Sequence, residues 1–341
     1  MRFVLGLLLV LSTTKTYSHN EDSKLQFVQS ILELDFSKSY QEVIDSSLPP
    51  IYLAISTIIE NAGQQPEEDS IVFGQYSKEA TLESLILQGA YLLFNEPSNS
   101  TTFEVLADAM EIAQYQNDKS SLKLIHFLML NLYEQEIVQS SDDYKEFLNR
   151  FGELASSTID SAWYHIHHVR YWSKSFNIDE ADMNLHITVR DMKEYFRRHP
   201  KLGTINGYFY FLQGIYERKF GSDNSAINYY LKALEISSGS NFLEYISFSS
   251  LIHLGYIYAK TSQFEKALYN FEEAKNYSNA SDSLKSMFIL NRQMAVWYFQ
   301  PLGLYDSAYI YLERSSRQEH FLDFRNNTLK ISQMRVALET S

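Results

Sequence analysis

The chain contains no cysteine. Disulfide staples, a thiol nucleophile, a thiolate metal site and a lipid-bearing cysteine are therefore excluded, and stability must come from packing. Proline is scarce at 6 residues and glycine at 12 in a chain of 341, too few for a linker-like or collagen-like polymer. Beyond the first residues no apolar run approaches the ~20 residues that a membrane-crossing helix needs. Basic residues are in deficit, with 29 Lys and Arg against 42 Asp and Glu and a net charge of −13. An acidic body argues against nonspecific nucleic-acid binding, which depends on basic stripes, and against anionic membrane surfaces. Familiar catalytic signatures are missing too. There is no Gly-x-Ser-x-Gly elbow, phosphate loop, Gly-x-Gly-x-x-Gly or His-Glu-x-x-His.

What is present is an ordinary soluble composition, 45% apolar and 21% charged, with heavy use of tyrosine (25) and phenylalanine (22). Tyrosine packs like a hydrophobe and keeps a polar tip, which suits half-buried helix faces and binding surfaces. The opening "MRFVLGLLLVLSTTKTYSHN" has the layout of a secretory signal. Arg2 precedes an unbroken apolar run from Phe3 to Leu11, and Thr16 and Ser18 stand three and one positions before a cut. We expect residues 1–18 to be removed as a signal peptide, giving an exported protein, periplasmic or secreted. Loss of Arg2 and Lys15 would take the net charge from −13 to −15.

A period of 41 residues runs through the rest. From Ala267 it reaches Ala226, Leu185, Tyr144 and Phe103 backwards and Ala308 forwards. Four residues on in each unit stand Ala107, Leu148, Val189, Tyr230, Phe271 and Leu312, and three beyond those Met110, Phe151, Met192, Ala233, Ala274 and Ser315. All but Ser315 are apolar or aromatic, and four-then-three spacing places them on one helix face. The preceding half of the clearest unit reads Leu251-x2-Leu254-Gly255-x2-Tyr258. Leu87, Ala90, Tyr91 and Phe94 follow the same frame, as do Val169, Trp172, Ser173 and Phe176. Gly214 stays in phase, although Gln213 and Glu217 interrupt its unit. Near residue 125 the pattern fits worst, with Asn131 on an apolar site. Met294, Ala295 and Tyr298 fit only if one extra residue is accommodated near Pro301.

These residues resemble the tetratricopeptide repeat (TPR) family, whose Trp-x2-Leu-Gly-x2-Tyr and Ala-x3-Phe motifs correspond to Leu251–Tyr258 and Ala267–Phe271. Leucine replaces the tryptophan, the closing proline is missing, and the unit exceeds the usual 34 residues. The resemblance implies an all-α fold, a right-handed superhelix (α-solenoid) of antiparallel helix pairs spanning residues 81–324 and clearest over 207–323. Residues 19–80, with helical patterns at Leu25–Leu34 and Ile51–Ile59 and a polar "GQQPEEDS" linker, would form an N-terminal helical cap. Residues 325–341 would be a cap helix or a truncated repeat. Small residues give paired helices room to close: Gly214, Gly255 and Ala295 on first helices, Ala226, Ala267 and Ala308 on second helices. A helical glycine costs about 1 kcal/mol relative to alanine, so it needs a packing reason.

In repeats of this kind the first helices line the concave face. The frame then predicts an aromatic and basic peptide-binding groove containing His167, Arg170, Lys174, Tyr208, Phe211, Lys219, Ile252, Tyr256, Lys260 and Arg292. Such a groove suits an extended protein or peptide segment. The exported TPR sensor domains of Bacteroidetes-type regulators are similar in layout. An unrecognised helical hydrolase or carbohydrate-handling enzyme, and a structural envelope assembly factor, remain open alternatives. Six of the nine histidines fall between 126 and 199, but His165, His167 and His168 have no further ligand at metal-site spacing, so neither metal nor cofactor is expected. They read as interface histidines or as a pH-sensitive patch. Ser120-x-x-Lys123 lacks the partners that would make it catalytic.

Overall fold

The computed structural model describes residues 21–46, 48–64, 66–76, 81–96, 99, 101–135, 142–173, 178–278 and 283–340. The expected signal peptide and Lys174 lie outside these residues. Among the described residues the chain is all-helical, with sixteen α-helices and no strand. Four precede the repeats: α1 (21–32), α2 (Phe36–Ser46), α3 (Ile51–Asn61) and α4 (Pro66–Tyr76). Six hairpins follow: α5 (Leu82–Asn95) with α6 (Thr101–Tyr115), α7 (Lys119–Gln135) with α8 (Asp142–Leu154), α9 (Thr158–Ser173) with α10 (Ile178–Arg198), α11 (Asn206–Phe220) with α12 (Asp223–Ser237), α13 (Glu244–Lys260) with α14 (Phe264–Lys275), and α15 (Ser283–Met294) with α16 (Tyr305–Thr340). Each second helix touches the next first helix, and α9, α11, α13 and α15 also touch in succession. This architecture of adjacent packed pairs is compatible with an α-solenoid.

Local chemistry sets the helix ends. Thr81 and Ser84 form a reciprocal capping box at the start of α5. The Ser222 hydroxyl accepts the Ser225 N–H at the start of α12. Ala62, Asn117 and Ser262 take left-handed backbone conformations in the turns after α3, α6 and α13. The "GQQPEEDS" stretch departs from the expected linker, because its second half enters α4. Pro66 opens that helix, where its missing N–H costs nothing. Asp69 is fully buried and accepts amide protons from Asn61 (2.7 Å) and Asn95 (2.9 Å), tying α4 to α3 and α5.

Within the hairpins a glycine of the first helix faces a ring of the second. A Cβ at Gly255 would sit 2.5 Å from the Phe271 ring, and one at Gly214 would sit 2.5 Å from the Tyr230 ring. The small residue thus admits the bulky side chain four positions beyond the alanine, while Ala226, Ala267, Ala295 and Ala308 are themselves buried. The extra residue required near Pro301 is absorbed inside the helix. Residues Ala295–Phe299 form a π-helical turn continuing α15. The expected division at 324/325 falls within α16, whose 36 residues run unbroken. Besides pairing with α15, α16 lies against α6 of the first hairpin.

Candidate interaction face

The face of the first helices expected to form the groove has two unlike halves. Toward their N-terminal ends it is closed by an aromatic cluster around Trp163, which is fully buried on α9. Its ring meets Phe127 and Tyr208 edge-on, each at 5.1 Å, and Phe242 at 6.4 Å. Phe242, in the turn before α13, also reaches Phe94 of α5. The Trp163 Nε1–H donates to the Leu32 carbonyl at 2.7 Å, bringing the end of α1 into this interior. α1 is further held by Lys24, whose ammonium pairs with Asp118 (2.7 Å) and Glu83 (3.3 Å). Its Phe27, Val28, Ile31 and Leu32 are buried.

Much of the expected groove therefore belongs to the interior. His167, Arg170, Tyr208, Phe211 and Ile252 are all buried. His167 contacts the Tyr144 hydroxyl through Nδ1 at 3.2 Å. The Arg170 guanidinium lies over the rings of Tyr208 (5.4 Å) and Tyr245 (6.0 Å). For His167, Arg170 and Tyr208 the physical reason is long-range packing around Trp163, while Phe211 packs on Tyr230 and His253 and Ile252 joins the cluster of Phe248 and Leu290.

Toward the C-terminal ends of α11, α13 and α15 the face opens. Lys219, Lys260 and Arg292 stand there with exposed side chains, each already engaged. Lys219 pairs with Asp182, Lys260 with Asp223 at 2.9 Å, and Arg292 with Glu319 at 3.8 Å. Both lysines and both of their aspartates are 41 positions apart, so the two ion pairs are repeat-related. The expected basic edge is a set of ion pairs, two between neighbouring hairpins and one within the last, rather than a row of free cations.

Two residues at this open end were absent from the predicted groove. Trp297, in the π-helical turn, meets the half-buried Tyr256 ring edge-on at 4.6 Å. The Arg218 guanidinium lies over the same ring, 5.5 Å from its centroid, in cation–π range. No carboxylate among the described residues forms an ion pair with Arg218, and its Nε is buried without a hydrogen-bond partner. Beneath it the Tyr230 hydroxyl is likewise buried without a hydrogen bond of normal geometry, and the Arg218 guanidinium is its polar neighbour. Burial raises the Tyr230 phenol above its usual range, and the charge of Arg218 partly offsets this. His253 stacks on Tyr230 at 5.1 Å, and burial together with the Arg218 charge lowers its imidazole to about 3. In the sequence, Arg218 is legible as a neighbour of Ile215 on the same helix face, three residues on. Trp297 gives no such signal, because the break in phase near Pro301 lies after it.

The remaining candidates resolve into structure. Lys123 donates to Asp160 at 2.7 Å and to the Ser156 hydroxyl at 3.0 Å, and both charged groups are buried. Asp160 also accepts the Ser156 and Ser157 N–H groups, so Lys123 anchors the start of α9 rather than serving Ser120. His165 and His168 pack against the Tyr164 ring, and burial is the main cause lowering both imidazoles. The described residues contain no group of three or more His, Asp or Glu placed to hold a metal. A polar cleft of about 630 Å³ opens at the α1–α2 turn, beside Glu60, Lys201 and Asn241. Its carboxylates are engaged: Glu33 with Lys38, Asp35 with the Lys38 N–H, and Glu60 with the Tyr40 hydroxyl.

No family model, curated protein or solved structure matches the chain.

Proposed function

We propose that this chain is an exported scaffold of the TPR type that binds a protein or peptide on the open half of its inner face. The glycine–ring contact supports the repeat reading, recurring between Gly214–Tyr230 and Gly255–Phe271 at a shift of 41 residues. So do the second helices, which begin at Asp223, Phe264 and Tyr305 with the same shift. A right-handed superhelix is the arrangement such a series adopts in the family it resembles. The observation carrying the binding reading is the cluster of Tyr256, Trp297 and Arg218. Tryptophan, tyrosine and arginine anchor interfaces because each gives large contact area with a polar handle. A π-helical turn, which costs regular hydrogen bonding, aims the tryptophan.

Affinity capture from the native envelope fraction tests this. The wild-type protein should retain a protein that a Tyr256→Ala/Trp297→Ala variant of equal thermal stability releases. A partner retained equally by both proteins would refute the binding face. Turnover of a small molecule without any captured partner would replace binding with catalysis.

A further inference from the structure

The inner-face cations are not equivalent. Lys219, Lys260 and Arg292 each have a carboxylate from the neighbouring helix. Arg218 has none among the described residues, yet its guanidinium is partly withdrawn from water, with its Nε buried near the Tyr230 hydroxyl and its exposed part turned to solvent without a counter-charge. A half-buried cation without a counter-charge carries a desolvation cost that a hydrogen-bonded anion removes. Its surroundings define what such an anion must be attached to. Tyr256 lies under the guanidinium, Trp297 stands edge-on to Tyr256, and His253 and Tyr230 form the floor. The aromatic surroundings favour a flat or apolar group beside the anion. Arginine rather than lysine at this place favours a planar, two-oxygen acceptor.

We infer that Arg218 receives a carboxylate of the bound peptide, while Tyr256 and Trp297 hold the aromatic residue next to it. This rests on the binding reading above and adds the chemistry of the ligand. The net charge of −13 slows approach of an acidic peptide but does not prevent binding. At physiological ionic strength charges more than ~8 Å away are largely screened, whereas the paired groups at the site are not. The carboxylate can come from an acidic side chain or from a chain terminus, and both present the same planar group.

The probes are fluorescein-labelled heptapeptides alternating glutamate with tryptophan, the glutamine counterparts, and both sequences with free or amidated C-termini. Fluorescence anisotropy with the purified protein reads the affinity. The glutamate peptide should bind at least tenfold more tightly than its amidated glutamine counterpart. Arg218→Gln should erase that preference without weakening the amidated glutamine peptide, and Trp297→Ala should weaken every peptide. A glutamine peptide that gains the full preference from a free C-terminus assigns Arg218 to the terminus; indifference to amidation assigns it to a side chain. Equal binding of all four peptides, or a preference that survives Arg218→Gln, overturns the carboxylate assignment and leaves the aromatic face standing. Failure of every peptide to bind, or binding that ignores Trp297→Ala, removes the face itself and the assignment with it.

Discussion

At the scale of single residues the account turns on close contacts whose cost can be measured. Gly255→Ala should gain helix propensity of ~1 kcal/mol but drive a methyl to 2.5 Å from Phe271. Overpacking of this kind costs about 1–3 kcal/mol, so urea unfolding should show a net loss. Gly74, on α4, has nothing within 4 Å of an added Cβ, and there the same change should stabilise by up to ~1 kcal/mol. Stabilisation at both positions would contradict the helix approach argued for α13 and α14. The buried Lys123–Asp160 pair supplies a second case. Asp160→Ala strands a buried ammonium and should cost about 3–5 kcal/mol, while Lys123→Met with Asp160→Leu should cost far less. Chemical denaturation of the three proteins decides this, and a double variant as unstable as the single one would refute the assignment. Titration supplies the third case. Burial is the main cause holding His126, His165, His168 and His253 below the ordinary imidazole range, so all favour the neutral form in the fold. The unfolded chain protonates its histidines near pH ~6.5, so folding stability is full above that value and falls as the pH drops through it. With its folded value at about 3, His253 alone should remove roughly 2 kcal/mol between pH 7 and pH 5. Thermal melts across that range should show the decline, and His253→Phe should flatten part of it.

At the scale of elements the π-helical turn after α15 is the decisive feature. Deleting Val296 should restore α-helical register and rotate Trp297 by roughly 100° around the helix axis. The deletion should leave the far-UV circular dichroism almost unchanged and abolish capture of the partner. Full capture by the deletion variant would separate the turn from binding. The elements also show what could be read from the chain alone. The α11–α14 hairpins were legible because their glycines and the apolar faces of their second helices recur in phase, and Gly255 announced a close neighbour. That neighbour proved to be Phe271, four residues past the expected alanine, since helix register fixes a face but not which side chain fills a gap. α4 was missed because a hydrophilic stretch beginning with proline reads as a linker, and only the Asp69 bridges reveal why it is ordered. The extra residue near Pro301 was visible as a break in phase, but a phase break does not say whether a loop or a helix absorbs it.

At the scale of the whole molecule the expected groove face is half core and half surface. This division could not be read from the repeat, because it is made by partners distant in sequence. Trp163 bonds to Leu32 across 131 residues, and Phe242 bridges α5, α7 and α9. Five of the expected groove residues are absorbed into the interior, and the open side keeps Tyr256, Lys219, Lys260 and Arg292 and adds Arg218 and Trp297. The last helix returns to the first hairpin through α6, so both ends of the series bear on one another. The most direct test places a photo-crosslinking benzoylphenylalanine at 256, 297 or 269 in separate proteins expressed in the native cell. Tyr269 is exposed on α14 and serves as the outer-surface control. Adducts to one common partner from positions 256 and 297, and none from 269, are the predicted result; a partner that crosslinks from 269 and from neither inner position would contradict the account.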